Sequence, residues 1–384
     1  MNAGLNFLLA AACGTIVANI YYAQPLVGPI SQSLALPMTA AGLIVTLTQM
    51  GYGAGVLLLV PLGDLIENRK FILTNICILV IALLTLANTT QLVSFFIVAF
   101  AIGLFSSTVQ VIIPYAASLA SDLTRGRVVG NCTSGLLTGI MIARPTASFI
   151  TNTFGWHDVF YFSSTLMILL AFILAQKLPE RKPTTAGLQY RHILISMGRL
   201  FLKTPILRRR GFYQACQFGA FSLFWTTTPL ILAKEFHLSQ AGIALFALAG
   251  VAGAVSAPLA GRFADRGWSK PITGLGLLSV AISFLITHFS PTGNVFGLTL
   301  FVLSGILLDA GVSAVLVLGQ RAIFSLDEKS RSRLNGLFVA MIFMGGAVGS
   351  AIGAWAYVRG GWALASWIGV SLPLLALLFF LTEL

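Results

Sequence analysis

Charge is scarce in this sequence. Lys, Arg, Asp and Glu make up 9% of 384 residues, against about 25% in an ordinary soluble domain. With 57% hydrophobic residues, a water-soluble globule is excluded. Ten-residue segments of alternating polarity are absent, which excludes an outer-membrane barrel. No GxxxxGK[ST] loop occurs, so ATP does not drive the protein directly. His157, His192, His237 and His288 are scattered over loops and the ends of apolar runs. Without clustered nucleophile, base or metal ligands, no enzyme activity, metal site or cofactor is expected. Cys13, Cys77, Cys132 and Cys216 lie in apolar runs with no CxxC and no paired spacing, and read as small core residues. The N-terminal LAAAC resembles a lipoprotein cleavage box, but it lacks a basic region before it and the apolar run continues past Cys13, so an uncleaved first span is expected. The longest polar break, residues 177–210, is too short for the output domain of a membrane sensor.

What is present is a series of apolar runs, each long enough to cross a core of about 30 Å as a helix. Twelve spans are expected, over 5–31, 39–63, 71–89, 92–118, 128–152, 158–176, 211–233, 239–261, 271–289, 294–318, 333–356 and 362–382. The net charge of +12 would suggest nucleic acid in a soluble protein. Here the basic residues gather at alternate breaks: 69 and 70, 125 and 127, nine from Lys177 to Arg210, three from Arg262 to Lys270, and four from Arg321 to Arg333. Only Lys234, Arg359 and the intramembrane Arg144 stand elsewhere. This positive-inside pattern is expected to put those breaks and both termini in the cytoplasm, with lipid rather than nucleic acid around the chain.

The break at 177–210 reads as a linker between two six-span halves, residues 1–176 and 211–384. Within it, His192 to Leu202 has helical periodicity with Arg191, Arg199 and Lys203 around it, the pattern of an amphipathic helix on anionic lipid. Internal repetition supports the division. GDLIENRK after span two and GRFADRGWSK after span eight place Asp64 and Asp265 201 residues apart. TRGRVVGN and SRSRLNG align Arg125 with Arg331 and Arg127 with Arg333 at an offset of 206. Parallel halves put a substrate site at their interface near mid-membrane.

Two charges lie inside spans. A carboxylate at mid-membrane depth costs roughly 2.5 to 3.5 kcal/mol on insertion scales, so Asp309 in span ten is the first functional candidate. Arg144 in span five keeps its proton and needs an anion, carbonyl cluster or water as partner. Counted at ~1.5 Å per residue, Arg144 lies about 20 to 25 Å and Asp309 about 15 Å from their cytoplasmic ends. One central cavity can hold both; a direct ion pair is not implied. Desolvation favours the neutral acid and a nearby Arg the carboxylate, so Asp309 is the expected proton-coupling residue. Span one adds Asn19, Tyr22 and Gln24 before Pro25, with Asn19 and Tyr22 three apart and so on one helix face. Gln49, Gln110, Gln214, Gln217 and Trp225 complete the expected polar and aromatic cavity wall. The turns carrying Asp64 and Arg69, and Asp265, Arg266 and Lys270, together with Arg127 and Arg333, are expected to gate the cytoplasmic side through charge-assisted hydrogen bonds.

These turns resemble those of the major facilitator superfamily. GRFADRGWSK is similar to its signature Gly-x-x-x-Asp-Arg-x-Gly-x-Lys, with Gly261, Asp265, Arg266 and Lys270 matching and the inner glycine displaced to Gly267. The first copy keeps Asp64 and the Arg69–Lys70 pair but has Val60, Leu65 and Glu67 at three signature positions. ANIYYAQPL, GIMIARP, LLDAGVSA and SRSRLNG resemble a bacterial group of drug and metabolite exporters. The resemblance covers the whole chain and implies an all-α membrane protein of two pseudo-symmetric six-helix bundles. Two positions depart from proton-coupled exporters: Ala99 stands where the fourth span carries Arg, and Arg144-Pro145 followed by Ala147-Ser148 replaces a glycine-rich motif in the fifth. The relay role of that fourth-span Arg therefore does not transfer. The expectation is a monomeric secondary transporter exporting a small organic compound against inward proton flow. The alternative is an importer or facilitator of a sugar, amino acid or organic acid.

Overall fold

The computed structural model describes residues 3–121, 124–182, 189–289, 293–326 and 330–383, with the backbone alone for 252–255. Pro183 of the linker and Lys329 of the basic loop lie outside the described residues. Among the described residues there is helix and turn but no strand.

Helix lies under all twelve expected segments, and among the described residues eight stretches are long and apolar enough to cross a membrane by themselves. The others depart for identifiable reasons. Span one breaks: α1 (Ala3–Ala18) ends early, and α2 (Val27–Ser33) resumes after a 3-10 turn at Gln24–Leu26. Between them Asn19, Ile20 and Tyr21 donate to carbonyls three residues back, the tighter ladder of a 3-10 turn. Pro25 and Pro29 lack amide donors there. The single helix face expected for Asn19 and Tyr22 is therefore replaced by a turn. The helices under spans five and seven, α7 (Arg125–Thr153) and α10 (Pro205–Lys234), are long enough, but polar residues and the cluster Arg208–Arg210 dilute their apolar character. Spans eleven and twelve form one stretch, α15 (Arg331–Leu381), broken at Gly360 and at Gly361, whose φ is +61°.

The remaining elements are α3 (Leu43–Leu58), α4 (Asn68–Asn88), α5 (Leu92–Ser106), α6 (Val109–Leu119), α8 (Trp156–Lys177), α9 (Tyr190–Lys203), α11 (Gln240–Ala247), α12 (Ala252–Asp265), α13 (Ser269–Ile286) and α14 (Val295–Phe324). Helices α14 and α11 each start at a side-chain cap. Asn294 Oδ1 accepts from Gly297 N at 2.7 Å and Ser239 Oγ from Gly242 N at 3.3 Å.

Small residues set the packing, because apolar lipid offers no hydrophobic force to press helices together and close backbone approach supplies dispersion instead. α1 packs on α7 through Gly14, Gly135 and Gly139, α3 on α5 through Gly51, Gly55 and Gly103, and α10 on α15 through Gly345 and Gly349. α10 is the most enclosed element, every residue from Cys216 to Leu232 being buried.

A second seam joins α3 to the first half of α15 along its length. Thr46 Oγ1 lies 2.8 Å from Ser350 Oγ and donates to Ala347 O at 3.2 Å. The Tyr52 and Phe343 ring centroids are 4.2 Å apart, and Gly336 faces Val56 near the start of α15. The amphipathic α9 lies under this end, burying Ile193 and Met197 and leaving Arg199 and Lys203 exposed.

The start of the linker is strapped to the turn before α4. Glu67 caps that helix, accepting from Arg69 N at 2.7 Å and Lys70 N at 2.8 Å, and also accepts from Arg181 N at 3.1 Å. Burial pushes the Glu67 carboxyl up, but the hydrogen bonds from Lys70, Arg181 and Arg69 outweigh it and hold it below the usual glutamate range. A carboxyl held low stabilises the fold above its ordinary value near 4.3 and loses that contribution as pH falls through its lower native value. Thermal unfolding of the purified protein between pH 7 and pH 3 is therefore expected to show a stability loss that Glu67→Gln reduces.

The helix seam has its own test. A side chain at Gly349 runs into the Gly219 carbonyl, whereas one at Gly126 meets nothing within 4 Å. Gly349→Ala should cost about 1 to 3 kcal/mol through overpacking and lower the unfolding midpoint, and Gly126→Ala should leave that midpoint nearly unchanged.

Candidate functional site

The two intramembrane charges meet. Arg144 Nη1 stands 3.9 Å from Asp309 Oδ2, with both side chains buried. The depth difference expected from the sequence shrinks because α14 continues to Phe324, putting Asp309 about 22 Å from the C-terminal end of α14 against about 28 Å for Arg144 from the N-terminal end of α7. The long arginine side chain covers the remainder. Trp225 of α10 donates from Nε1 to Asp309 Oδ1 at 2.9 Å. The guanidinium lies 4.0 Å from the Trp225 ring centroid and 5.0 Å from that of Phe221. Tyr21 stands farther off, at 6.0 Å.

The enclosure is built from both halves: Arg144 and Tyr21 come from before the linker, Asp309, Trp225 and Phe221 from after it. At 3.9 Å the charge pair is at the limit of contact, so the carboxylate is held chiefly by the indole N–H and the guanidinium by aromatic faces. Gly250 makes room for the pair. A Cβ there would stand 2.8 Å from Asp309 Oδ2 and 3.1 Å from Arg144 Nη1. Neither Gly250 nor Phe221 was legible in the sequence; each sits in a run of ordinary apolar or small residues.

Beyond this cluster, toward the C-terminal end of α7, lies a set of buried polar atoms without protein partners among the described residues: both amide atoms of Gln24 and the hydroxyls of Ser148, Thr228 and Ser304. Ser148 is one turn beyond Arg144, Thr228 nearly one turn beyond Trp225, and Ser304 five residues before Asp309 on a helix running the other way. The 3-10 turn that carries Gln24 touches both α7 and α10. Polar groups enclosed in this way are suited to hydrogen-bonding a guest or water.

The other expected wall residues divide. Gln49 Nε2 donates to Ser222 Oγ at 2.8 Å, joining α3 to α10 across the halves. Gln110 Nε2 donates to the Tyr52 hydroxyl at 3.0 Å. Asn19 is turned into its own half, accepting from Ser163 Oγ at 2.5 Å and donating to Ile16 O at 3.0 Å. Tyr22 is buried one turn-residue beyond Tyr21. Gln214 and Gln217 donate to Val312 O at 3.3 Å and Gly276 O at 3.1 Å, so their amide nitrogens bind neighbouring helices. Interhelical carbonyls exposed by glycine-rich α13 and α14 compete for these donors, and spacing along one helix does not reveal that.

The charged turns are not equivalent. Asp64 and Arg333 line one small cleft with Met197 and Gly336, linking α3 to α15 across the halves. Arg333 Nη1 donates to Ser196 Oγ of α9 at 2.8 Å. Arg69 faces the linker, donating to Ala175 O at 2.5 Å and lying 3.6 Å from Glu180. In the second copy Asp265 forms its ion pair with Arg321 of α14, and Lys270 Nζ donates to Glu383 O at 3.0 Å. Arg127 and Arg266 are exposed.

The sequence model of the Major Facilitator Superfamily matches residues 7–323 and 210–384. The chain belongs to this family. It is 40% identical over 380 residues to the uncharacterized transporter YgaY of Escherichia coli O157:H7, covering 98% of this chain and 95% of YgaY. More distantly, it is 26% identical over 276 residues to a chloramphenicol resistance protein of Pseudomonas aeruginosa, covering 68% and 64% of the two chains. Among solved structures, a POT family transporter in complex with 5-aminolevulinic acid superposes with a TM-score of 0.78 at 13% identity, over 99% of this chain and 94% of that one. The protein is thus a transporter of the Major Facilitator type.

Removing one member of a buried ion pair strands the other. Arg144→Met or Asp309→Leu alone should destabilise the protein by about 3 to 5 kcal/mol, while the double variant recovers much of the loss. Thermal unfolding of the three variants measures the coupling.

Proposed function

We propose that this protein is a proton-coupled secondary transporter that exports a small organic compound by alternating access, with Asp309 as the coupling group. The observation that carries this reading is the enclosure of Asp309 between Arg144 of one half and Trp225 of the other. When Asp309 is ionised, Arg144 and the Trp225 N–H satisfy it and draw the halves together. Proton uptake neutralises the carboxyl and releases the guanidinium, so binding and protonation compete for one set of contacts. Gln24, Ser148, Thr228 and Ser304 supply hydrogen bonds to the compound, and Trp225, Phe221 and Tyr21 supply ring contact. The resemblance to a chloramphenicol resistance protein favours export of an amphipathic molecule.

In this reading the six spans of residues 1–176 rock against those of 211–384 about the α3–α15 seam. Residues 177–210 join them, and the chain works as a monomer. The basic breaks and both termini face the cytoplasm of a bacterium, across its inner membrane. The cleft shared by Asp64 and Arg333 serves as a cytoplasmic latch, opened and closed with Arg69, Asp265, Arg266, Lys270 and Arg127 near the membrane surface.

A second reading is proton-coupled uptake of an organic acid or amino acid. Arg144 is the observation that favours it, since a guanidinium released from Asp309 matches a carboxylate.

Proteoliposomes test both. Addition of substrate on one side should drive protons the opposite way across the membrane under the export reading, and the same way under uptake. Asp309→Asn is expected to abolish gradient-driven accumulation while preserving substrate exchange. Driven transport at the wild-type rate in that variant defeats the coupling assignment.

A further inference from the structure

Away from the charged cluster, a furrow of about 560 Å³ runs along the outer face of the protein, between α10 and the first half of α15. The tight helix seam creates it. Where Ala215 and Gly219 meet Gly345 and Gly349, no side chain rises above the two backbones, and bulkier neighbours stand on either side. Leu57, Phe201 and Leu372 wall it, and every lining side chain is apolar. Met344 and Val348 stand exposed at its rim. Along α15 the furrow runs from Leu337 to Ile352, about 22 Å of helix, more than the depth of one leaflet of a core about 30 Å thick.

Its cytoplasmic end is basic. The α10 stripe that lines it, Leu223, Gly219, Cys216 and Phe212, continues in the same helical step to the exposed Arg208. α9, which contributes Phe201 to the wall, carries the exposed Arg199 and Lys203. An apolar channel as long as a lipid tail, ending in a cluster of cations at headgroup level, is complementary to one kind of molecule. We propose that the furrow is a binding site for an anionic phospholipid of the cytoplasmic leaflet, with one acyl chain along the α10–α15 seam and the phosphate at Arg208, Arg199 and Lys203. A zwitterionic lipid fills the channel equally well but gains less from the cations. Because α9 also holds Arg333 through Ser196, the lipid sits beneath the helix that braces the α3–α15 seam.

Native mass spectrometry and thermal unfolding of the purified full-length protein, with phosphatidylglycerol or phosphatidylcholine of identical chains, test this without reference to transport. Phosphatidylglycerol should be retained and should raise the unfolding midpoint; phosphatidylcholine should do so weakly. Arg208→Gln should weaken phosphatidylglycerol binding about fivefold, the ~1 kcal/mol of one basic residue at a membrane surface. Met344→Trp, or Val348→Trp at the same rim, should weaken it by blocking the channel with the charge intact. Equal retention of the two lipids overturns the proposal, as does phosphatidylglycerol binding that both kinds of variant leave unchanged. Loss in Arg208→Gln alone overturns the acyl-chain site and leaves only surface attraction.

Discussion

The structure depends on one constraint: a guanidinium and a carboxylate are enclosed together where water is excluded, and each requires the other's neighbourhood. Neither charge is tolerable in a lipid core alone. Their 3.9 Å separation is too long for a strong hydrogen-bonded pair, so the surroundings complete the solvation through the Trp225 N–H, the Trp225 and Phe221 faces, and the space left by Gly250. The two charges come from helices on either side of the linker.

Glycine and alanine seams bring α1 to α7, α3 to α5 and α10 to α15 with backbones in contact, which leaves these helix pairs little internal give. Between α3 and α15 a close backbone approach at Gly42 and Ser350 is joined by polar and aromatic contacts, Thr46 with Ser350 and Tyr52 with Phe343, and Gln49 of α3 bonds Ser222 of α10. At the end of the seam where α15 starts, α9 and the segment after α8 tie into both sides of it through Arg333, Met197 and the cap at Glu67.

Much of this was readable in the chain itself. Run lengths and the side on which basic residues fall describe a helical membrane protein without reference to any contact, and Asp309 and Arg144 stand out because charge inside an apolar run is costly wherever it sits. Trp225 was legible as a polar aromatic in the right span. Other expectations changed. The face shared by Asn19 and Tyr22 became a broken turn under two prolines. Gln214 and Gln217, alike on paper to Gln49, spend their donors on carbonyls of α13 and α14. The paired turns proved unequal, Asp64 reaching across the halves and Asp265 bonding within its own.

By itself the sequence determined that the chain is helical, membrane-spanning, repeated and charged at two buried points, because transfer energies and helix periodicity act residue by residue. Only the tertiary structure decided that those two points touch, that Gly250 clears the space between them, and that small residues on α10 and α15 open a furrow to the lipid. Those are properties of distances between helices far apart in the chain, and hydropathy along one helix carries no information about its neighbours.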